Sequence, residues 1–290
     1  MSKLPISLLI PALNEASNIT DCIKSAEGFS EIVLVDSGSS DGTCDMARKL
    51  GARVVDFDWN GKLPKKKNWA LANVTWQNEW VFILDADERL TPELVEEIGK
   101  IASAPSEEFD GYYVNRKFWF LDGWLNHCGY YPSWNLRFFR HHKGRYEQLP
   151  DVGESGSGDN EVHEHVQLEG KAGHLVGEME HYAFPTLFIW VEKHNRYSNW
   201  EAKLDTSTEA TQSATHANID PGLARKRRLK QLARRLPFRP FIRFCYHYFG
   251  RLGILDGYRG FIFCRLMGIY EFLSVAKGAE IRRTKRRARS

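Results

Sequence analysis

Four short apolar runs punctuate the first part of this chain, and each gives way to helical spacing before the next begins. "ISLLIPA" precedes "EASNITDCIKSAEGF", in which Ile19, Cys22, Ile23 and Ala26 recur at helical intervals. "EIVLVDSGSSDGT" ends in a turn-rich loop and is followed by "CDMARKLGA", a short helix closed by Gly51. "RVVDFDW" leads to "KKKNWALANVTW", and "WVFIL" leads to "TPELVEEIGKIAS". In this last segment Thr91 is placed to cap the helix and Pro92 to occupy its first turn. Runs apolar at nearly every position belong to strands buried on both faces, and the helices between them supply the crossovers a parallel sheet needs. The expected fold class is α/β, a mostly parallel sheet with helices on both faces.

From Gly111 to Glu180 the pattern changes to aromatic-rich, strand-like pieces: "GYYVNRKFWFLDGW", "WNLRFFR" and "HLVGEMEHYAF". The Gly/Ser/acid stretch "DVGESGSGDNE" predicts a mobile loop. Residues 186–205 return to helical spacing, and residues 206–222, rich in Thr, Ser and Ala, read as a linker. No internal repeat is visible. With 42% hydrophobic and 13% aromatic residues, the 290-residue chain has material for one large core and an appendage.

The net charge of +3 conceals a division. Residues 223–290 hold 19 Lys/Arg against three acids (Asp256, Glu271, Glu280), or +16; the other 21 bases and 34 acids give −13. An acidic body with a strongly basic tail calls for an anionic partner at the tail. Five scattered cysteines (Cys22, Cys44, Cys128, Cys245, Cys264), with no CxxC pair, read as reduced thiols of a cytoplasmic protein. The opening "MSKLPISLLIPALNE" fits a core strand better than a signal peptide. No run approaches the roughly 20 apolar residues a bilayer span requires.

Ligands of doubly wound sheets bind beyond the carboxyl ends of the strands, and polar clusters stand at three of those ends. Asn14 and Glu15 follow the first run, Asp36 to Asp41 the second, and Asp85, Asp87 and Glu88 the fourth. Crowded carboxylates repel unless a cation or hydrogen-bond donors compensate. A divalent ion does so, and Asp-x-Asp at a strand end gives two carboxylates one cleft to face. A solvated turn explains an isolated Asp-x-Asp as well. Lys62, Lys65, Lys66 and Lys67 stand before or at a helix start, where unfulfilled N–H groups attract anions. Solubilising lysines are the plain alternative.

Together and in this order, "IPALNEASNI", "IVLVDSGSSDGT" and "VFILDADER" resemble family-2 glycosyltransferases of the GT-A fold, over roughly residues 4 to 200. The resemblance implies a nucleotide-sugar donor, a UDP-sugar first, and a divalent metal cofactor, Mn²⁺ or Mg²⁺. It assigns Asp36 to the nucleobase or ribose and Asp41 to the second acid of that turn. Asp85 and Asp87 go to the metal, with Asp87 the more direct ligand. Pro11, Asn14, Glu15, Ser37 and Ala86 lie inside the same motifs and join the expected donor-binding set. Lys67-Asn68 match a basic residue–Asn pair, Arg137 and Arg140 an arginine-rich strand, and Asn195, Arg196 and Tyr197 of "KHNRYSNW" a helix motif. His181 resembles a histidine that often completes the metal shell; an ordinary strand-end histidine is the other reading. His163-x-His165 lacks the further ligands of a zinc site.

Inverting transfer requires a carboxylate to take the acceptor hydroxyl's proton during in-line attack on the anomeric carbon. Candidates are Glu154, Asp159, Glu161 and Glu164. The Val-His-Glu at 162–164 is similar to that of a bacterial subgroup, the lipopolysaccharide-core β-1,4-glucosyltransferase-like proteins. It makes Glu164 the expected base and Glu161 its reserve. The implied acceptor is a lipid-linked glycan such as lipopolysaccharide core, with a polyprenyl phosphate or another envelope polysaccharide as alternatives. The domains expected are a catalytic domain at 1–205, with donor half about 1–110 and acceptor half about 111–205, the linker, and a basic amphipathic helical region at 223–290.

In that region Leu223, Leu229, Leu232 and Leu236 alternate with Arg and Lys at helical intervals. Residues 261–276 are mostly apolar but include Arg265 and Glu271, which suits a helix lying among anionic headgroups. "GILDGYRGFIFC" also resembles a subgroup segment and favours a defined helical hairpin. The expected location is the cytoplasmic face of a bacterial inner membrane. Nucleic acid is the rival partner, but Ile254, Leu255, Ile262, Leu266, Ile269 and Leu273 exceed what a solvated binding face displays. A sugar-1-phosphate nucleotidyltransferase would carry a Gly-rich, basic phosphate loop after the first strand, where "PALNEASN" stands. An inactive donor-binding scaffold is the competing non-enzyme reading.

Overall fold

The computed structural model describes residues 3–104, 108–148, 159, 165–206 and 238–287. They gather into two compact units. The first draws on residues up to Trp119, Tyr131 to Gln148, and Asp159 to Ala183; the second on Phe120 to Tyr130 and the chain from Phe184 onward.

One mixed sheet organises the first unit. β1 (Leu4–Ala12), β2 (Phe29–Asp36), β3 (Arg53–Asp56) and β4 (Trp80–Ile83) form its parallel part, alternating with α1 (Ile19–Ser25), α2 (Thr43–Lys49) and α3 (Lys66–Asn73). After β5 (Glu88–Leu90) and α4 (Pro92–Ser103), the aromatic-rich half adds β6 (Gly111–Phe120), β8 (Trp134–Arg140) and β11 (Ala172–Phe184). The order across the sheet is β3-β2-β1-β4-β8-β6-β11-β5. β8 runs antiparallel to both β4 and β6, and β11 antiparallel to β5. β9 (Gly144–Tyr146) and β10 (Val166–Leu168) pair as a separate antiparallel ribbon.

Side-chain alternation along the strands decides what each face receives. Ile6, Leu8 and Ile10 of β1 join Cys22 and Ile23 of α1, Ala47 of α2, and Leu94 and Ile98 of α4 in one core. Leu9 of β1 and Val33 and Val35 of β2 turn the other way, onto Ala70 and Leu71 of α3. Helices therefore cover both faces, as the near-continuous apolar runs predicted. Each large apolar side chain fully removed from water contributes roughly 1.5–3 kcal/mol. In the aromatic half the Trp80 ring stacks on Phe138 with centroids 4.7 Å apart.

α4 begins as its sequence indicates. Thr91 accepts the Leu94 N–H at 3.3 Å, and Pro92 fills the first turn. The Thr91 hydroxyl donates to the Glu178 carbonyl of β11 at 2.8 Å, and the Gly177 N–H donates to Glu97 at 2.7 Å. Strand and helix approach so closely that a Cβ at Gly177 would lie 2.5 Å from the Leu94 Cα.

The second unit is helical. It contains β7 (Gly123–Trp124), α5 (Leu187–Thr206), α6 (Arg239–Cys245), a π turn at Tyr246–Gly250, a 3₁₀ turn at Gly253–Asp256, and α7 (Gly257–Arg287). α7 is 31 residues long; it extends well past the apolar stretch 261–276, because its last turns are strong helix formers. The Asp256 carboxylate receives the Asn126 and His127 N–H groups at 3.3 and 2.9 Å. His194 of α5 stacks on Trp190 at 3.7 Å and donates from Nδ1 to the Trp190 carbonyl at 2.8 Å. Glu271 pairs with Arg239 at 2.5 Å and with Arg243. All five cysteines are free thiols. None of the described helices is long and apolar enough to cross a membrane. The loop at 151–161 apart from Asp159, the linker from 207 to 222, and the basic residues 223–237 lie outside the described residues.

Candidate active site

β1 and β2 end side by side, with Ala12 opposite Asp36. The chain turns sharply after each, and the two turns are laced together. The Asn14 N–H donates to Ser39 Oγ at 2.8 Å, and the Ser40 N–H donates to Asn14 Oδ1 at 2.9 Å. Asn14 holds a left-handed φ of 56°, which asparagine tolerates better than most residues. The Glu15 N–H donates to Thr43 Oγ1 at 2.9 Å, and Asp41 accepts the Ala16 N–H at 3.0 Å. Asp36 Oδ2 accepts the N–H groups of Gly38 and Ser39 at 2.8 and 2.7 Å. Burial opposes its ionisation, but these bonds and the Ser39 hydroxyl outweigh burial and hold the carboxyl below its usual range. Asp36 is thus a fixed anion at a strand tip.

The lysines that open α3 are not solvated, although Lys62 ahead of them is exposed. Lys65, Lys66 and Lys67 are only 6%, 2% and 2% exposed. Lys66 Nζ donates to the Ala12 carbonyl at 2.6 Å and pairs with Asp159 at 2.9 Å, while the Ser37 hydroxyl also donates to Asp159. Lys67 Nζ lies 2.8 Å from Asp85 Oδ1, and Arg137 of β8 lies 2.7 Å from Asp85 Oδ2. Arg137 also reaches Glu88 at 3.0 Å, and Arg116 of β6 reaches the same carboxylate at 3.3 Å. Burial pushes the Asp85 carboxyl up, yet Arg137 and then Lys67 hold it well below the usual carboxylate range. Asn68 clasps the Tyr146 backbone through both of its amide atoms, at 2.9 and 2.8 Å.

Asp87 stands apart from this cationic pair. Because β5 pairs antiparallel with β11, His181 falls opposite Glu88, and the Tyr182 N–H donates to the Asp87 carbonyl at 2.8 Å. That register brings His181 Nε2 to 3.4 Å from Asp87 Oδ1. The other ring nitrogen, Nδ1, is buried with no hydrogen-bond partner among the described residues. Phe118 meets the His181 ring edge-on at 5.6 Å. One carboxylate oxygen and one imidazole nitrogen suit a divalent ion that takes its remaining ligands from phosphate oxygens and water. Among the described residues no group of three or more His, Cys, Asp or Glu side chains is placed to hold a metal unaided. The donors present fit a metal shared with a substrate.

The expected site residues divide by position. Asn14, Glu15, Asp36, Ser37, Asp41, Lys67, Asn68, Asp85, Asp87, Arg137 and His181 are all in the sheet unit, at strand tips or beside them. Pro11 is buried within β1, and Ala86 turns its methyl into the core. Arg196 is exposed on α5 of the helical unit. Glu161 and Glu164, the expected bases, lie outside the described residues, as does Glu154. Lys66, Asp159 and Glu88, each singled out in the sequence, take parts it did not give them: Lys66 pairs with Asp159, and Glu88 anchors Arg137 and Arg116. Their partners lie tens of residues away along the chain, so no local spacing announces these pairings.

The family model described as Glycosyl transferase family 2 matches residues 7–158. The lipopolysaccharide core biosynthesis glycosyltransferase LpsC of Rhizobium meliloti is 32% identical over 287 residues, covering 95% of this chain and 92% of that protein. An uncharacterized glycosyltransferase of Rickettsia conorii, RC0292, is 30% identical over 201 residues, covering 68% and 69%. Among solved structures, the glucosyl-3-phosphoglycerate synthase of Mycobacterium tuberculosis with Mn²⁺, UDP and glucosyl-3-phosphoglycerate is 25% identical, at a TM-score of 0.32. It covers 40% of this chain and 44% of that one.

Proposed function

This chain belongs to glycosyl transferase family 2, and on that premise we propose that it is an inverting hexosyltransferase using a UDP-sugar and a divalent metal. Its acceptor is a lipid-linked glycan of the lipopolysaccharide-core kind, met at the cytoplasmic face of a membrane to which the basic region 223–290 is drawn. The name of the Rhizobium relative supports the acceptor class. The observation that carries the reading is the pairing of Asp87 with His181 beside a separately neutralised Asp85.

In this reading Asp36 and the laced turns after β1 and β2 receive the nucleoside, whose hydroxyls donate to the fixed carboxylate. Asp87 and His181 hold the metal. When bound, the metal offsets the charge of the diphosphate leaving group. Lys67 and Arg137 keep Asp85 ionised. Glu164 accepts the acceptor hydroxyl's proton as that oxygen attacks the anomeric carbon from the side opposite the departing diphosphate, which inverts the configuration. Glu161 is the reserve for that role.

A panel of nucleotide sugars, assayed for turnover with and without EDTA, tests the reading. Turnover of one donor is expected, suppressed by chelation and lowered about a hundredfold or more in Asp87→Ala. EDTA-insensitive turnover would remove the metal from the scheme. Undiminished transfer in Glu164→Ala would move the base to Glu161.

A further inference from the structure

α7 is apolar on two opposite sides. Gly260, Phe263, Cys264, Met267, Tyr270, Ser274 and Gly278 are buried along one stripe. Tyr258, Phe261, Arg265, Ile269 and Phe272, at successive intervals of three, four, four and three, form the opposite stripe. Tyr258 is 75% exposed and Phe272 59%. The exposed stripe passes onto Ala276 and Ala279 and ends among Arg283 and Arg287.

The preceding turns enlarge it. Phe238, Phe241, Phe249, Leu252 and Leu255 are all at least half exposed, and α6 has no buried residue. The patch is continuous: the Phe244 ring lies 5.3 Å from Tyr248, 6.4 Å from Phe249 and 6.2 Å from Phe261, with the Arg265 guanidinium 5.5 Å above it. A solvated face does not carry so many large apolar side chains together.

Its charge is one-sided. Between Phe238 and Phe272 the acids are Asp256 and Glu271, whose side chains are 6% and 9% exposed and engaged internally, by His127 and by Arg239 and Arg243. Arg251, Arg259 and Arg265 remain exposed, as do Arg282, Arg283, Lys285, Arg286 and Arg287 at the end of α7. A second copy of the same surface would bring like charges together. Anionic headgroups complement them, and the acyl boundary accepts the aromatic and aliphatic side chains.

We infer that the hairpin from Phe238 to Phe272 is the bilayer-contacting surface, with α7 lying in the plane of the membrane and Phe249, Leu255 and Tyr258 entering the headgroup–acyl boundary. This deepens the reading above in naming the membrane contact of an enzyme with a lipid-linked acceptor. It narrows the expected region 223–290 to the turns and helices between Phe238 and Phe272.

The full chain is mixed with phosphatidylethanolamine vesicles containing phosphatidylglycerol, and separately with pure phosphatidylcholine vesicles. Co-sedimentation with the first and weaker binding to the second are expected. The triple variant Phe249→Ser, Leu255→Ser, Tyr258→Ser should lower partitioning at least about tenfold while retaining turnover of donor with a delipidated acceptor. In the wild type, hydrogen exchange across residues 238–261 should slow on vesicle addition, a readout independent of how the variant folds. Unchanged binding by a folded triple variant, absence of protection in 238–261, or a dimer abolished by these substitutions would overturn the inference. Vesicle binding through this hairpin in a protein that turns over no nucleotide sugar would defeat the functional reading and leave the surface standing.

Discussion

In the sheet unit Glu88, Lys66 and Lys67 are withdrawn from water while almost every large apolar side chain packs inside. In the helical unit Phe238, Leu255 and Tyr258 stand in solvent while Glu271 is buried. Both regions bury charge, and they differ in what becomes of the large apolar side chains. Withdrawing ions costs several kcal/mol each unless partners are arranged for them, so the strand tips are built around charge. Leaving aromatic rings in water forgoes the main favourable term in folding, so the hairpin is built around something that covers it.

The contrast breaks first at Arg137. Arg137→Met leaves Asp85, partly exposed, with Lys67, and the fully buried Glu88 with Arg116 and the Asp85 N–H. Urea unfolding should register a loss of about 3–5 kcal/mol. A loss below about 1 kcal/mol would mean that the buried cations of the sheet unit are ornamental to its stability.

Acid sharpens the contrast next. Burial holds His194 down at about 4, with Arg243 and Lys193 acting in the same direction and the Trp190 carbonyl against it. An unfolded histidine titrates near 6.5. Below that the unfolded chain binds the proton and the folded chain does not, so the stabilisation is whole above about pH 6.5. It falls by up to about 1.4 kcal/mol per pH unit toward pH 4. Asp85 is displaced below its ordinary range, so its contribution is whole above about pH 3.9 and is lost only as pH drops further. Hydrogen exchange at pH 7, 5.5 and 4.5 should show α5 loosening before β4, and His194→Gln should narrow that gap. Simultaneous loosening in the wild type would contradict the assignment.

The smallest effect belongs to the sheet unit's rim. Glu79 pairs with Arg140, but its side chain is 48% exposed, and Arg140 keeps Asp110 at 3.6 Å and the Trp80 ring at 4.9 Å. Glu79→Gln should change unfolding free energy by no more than about 1 kcal/mol. A larger change would blur the line drawn between buried and rim charges.

What was legible in the sequence follows the range of the interactions. β1, β2 and β4 announce themselves because burial on both faces leaves few polar positions, and α4 because Thr91-Pro92 is a local start signal. Asp85 and Asp87 were visible as an unexplained concentration of charge. The function of Lys66 was not, since a lysine's surroundings depend on Ala12 and Asp159, which folding delivers from 54 and 93 positions away. Which side of α7 is covered was hidden for a related reason: the apolar run 261–276 does not say which of its residues pack inward until the fold supplies their neighbours.

The narrow passage at Gly177 has a reach out of proportion to its chemistry. β11 works as a ruler whose zero mark is pressed against the Leu94 backbone, and four residues on, about 13 Å along the strand, the ruler reads off the position of His181. A methyl group at 177 has no room, so the strand must slide or tilt, and either movement parts the imidazole from Asp87. In the proposed scheme, one of the places best able to silence the enzyme therefore bears no side chain at all, and any ranking of positions by reactivity would pass over it.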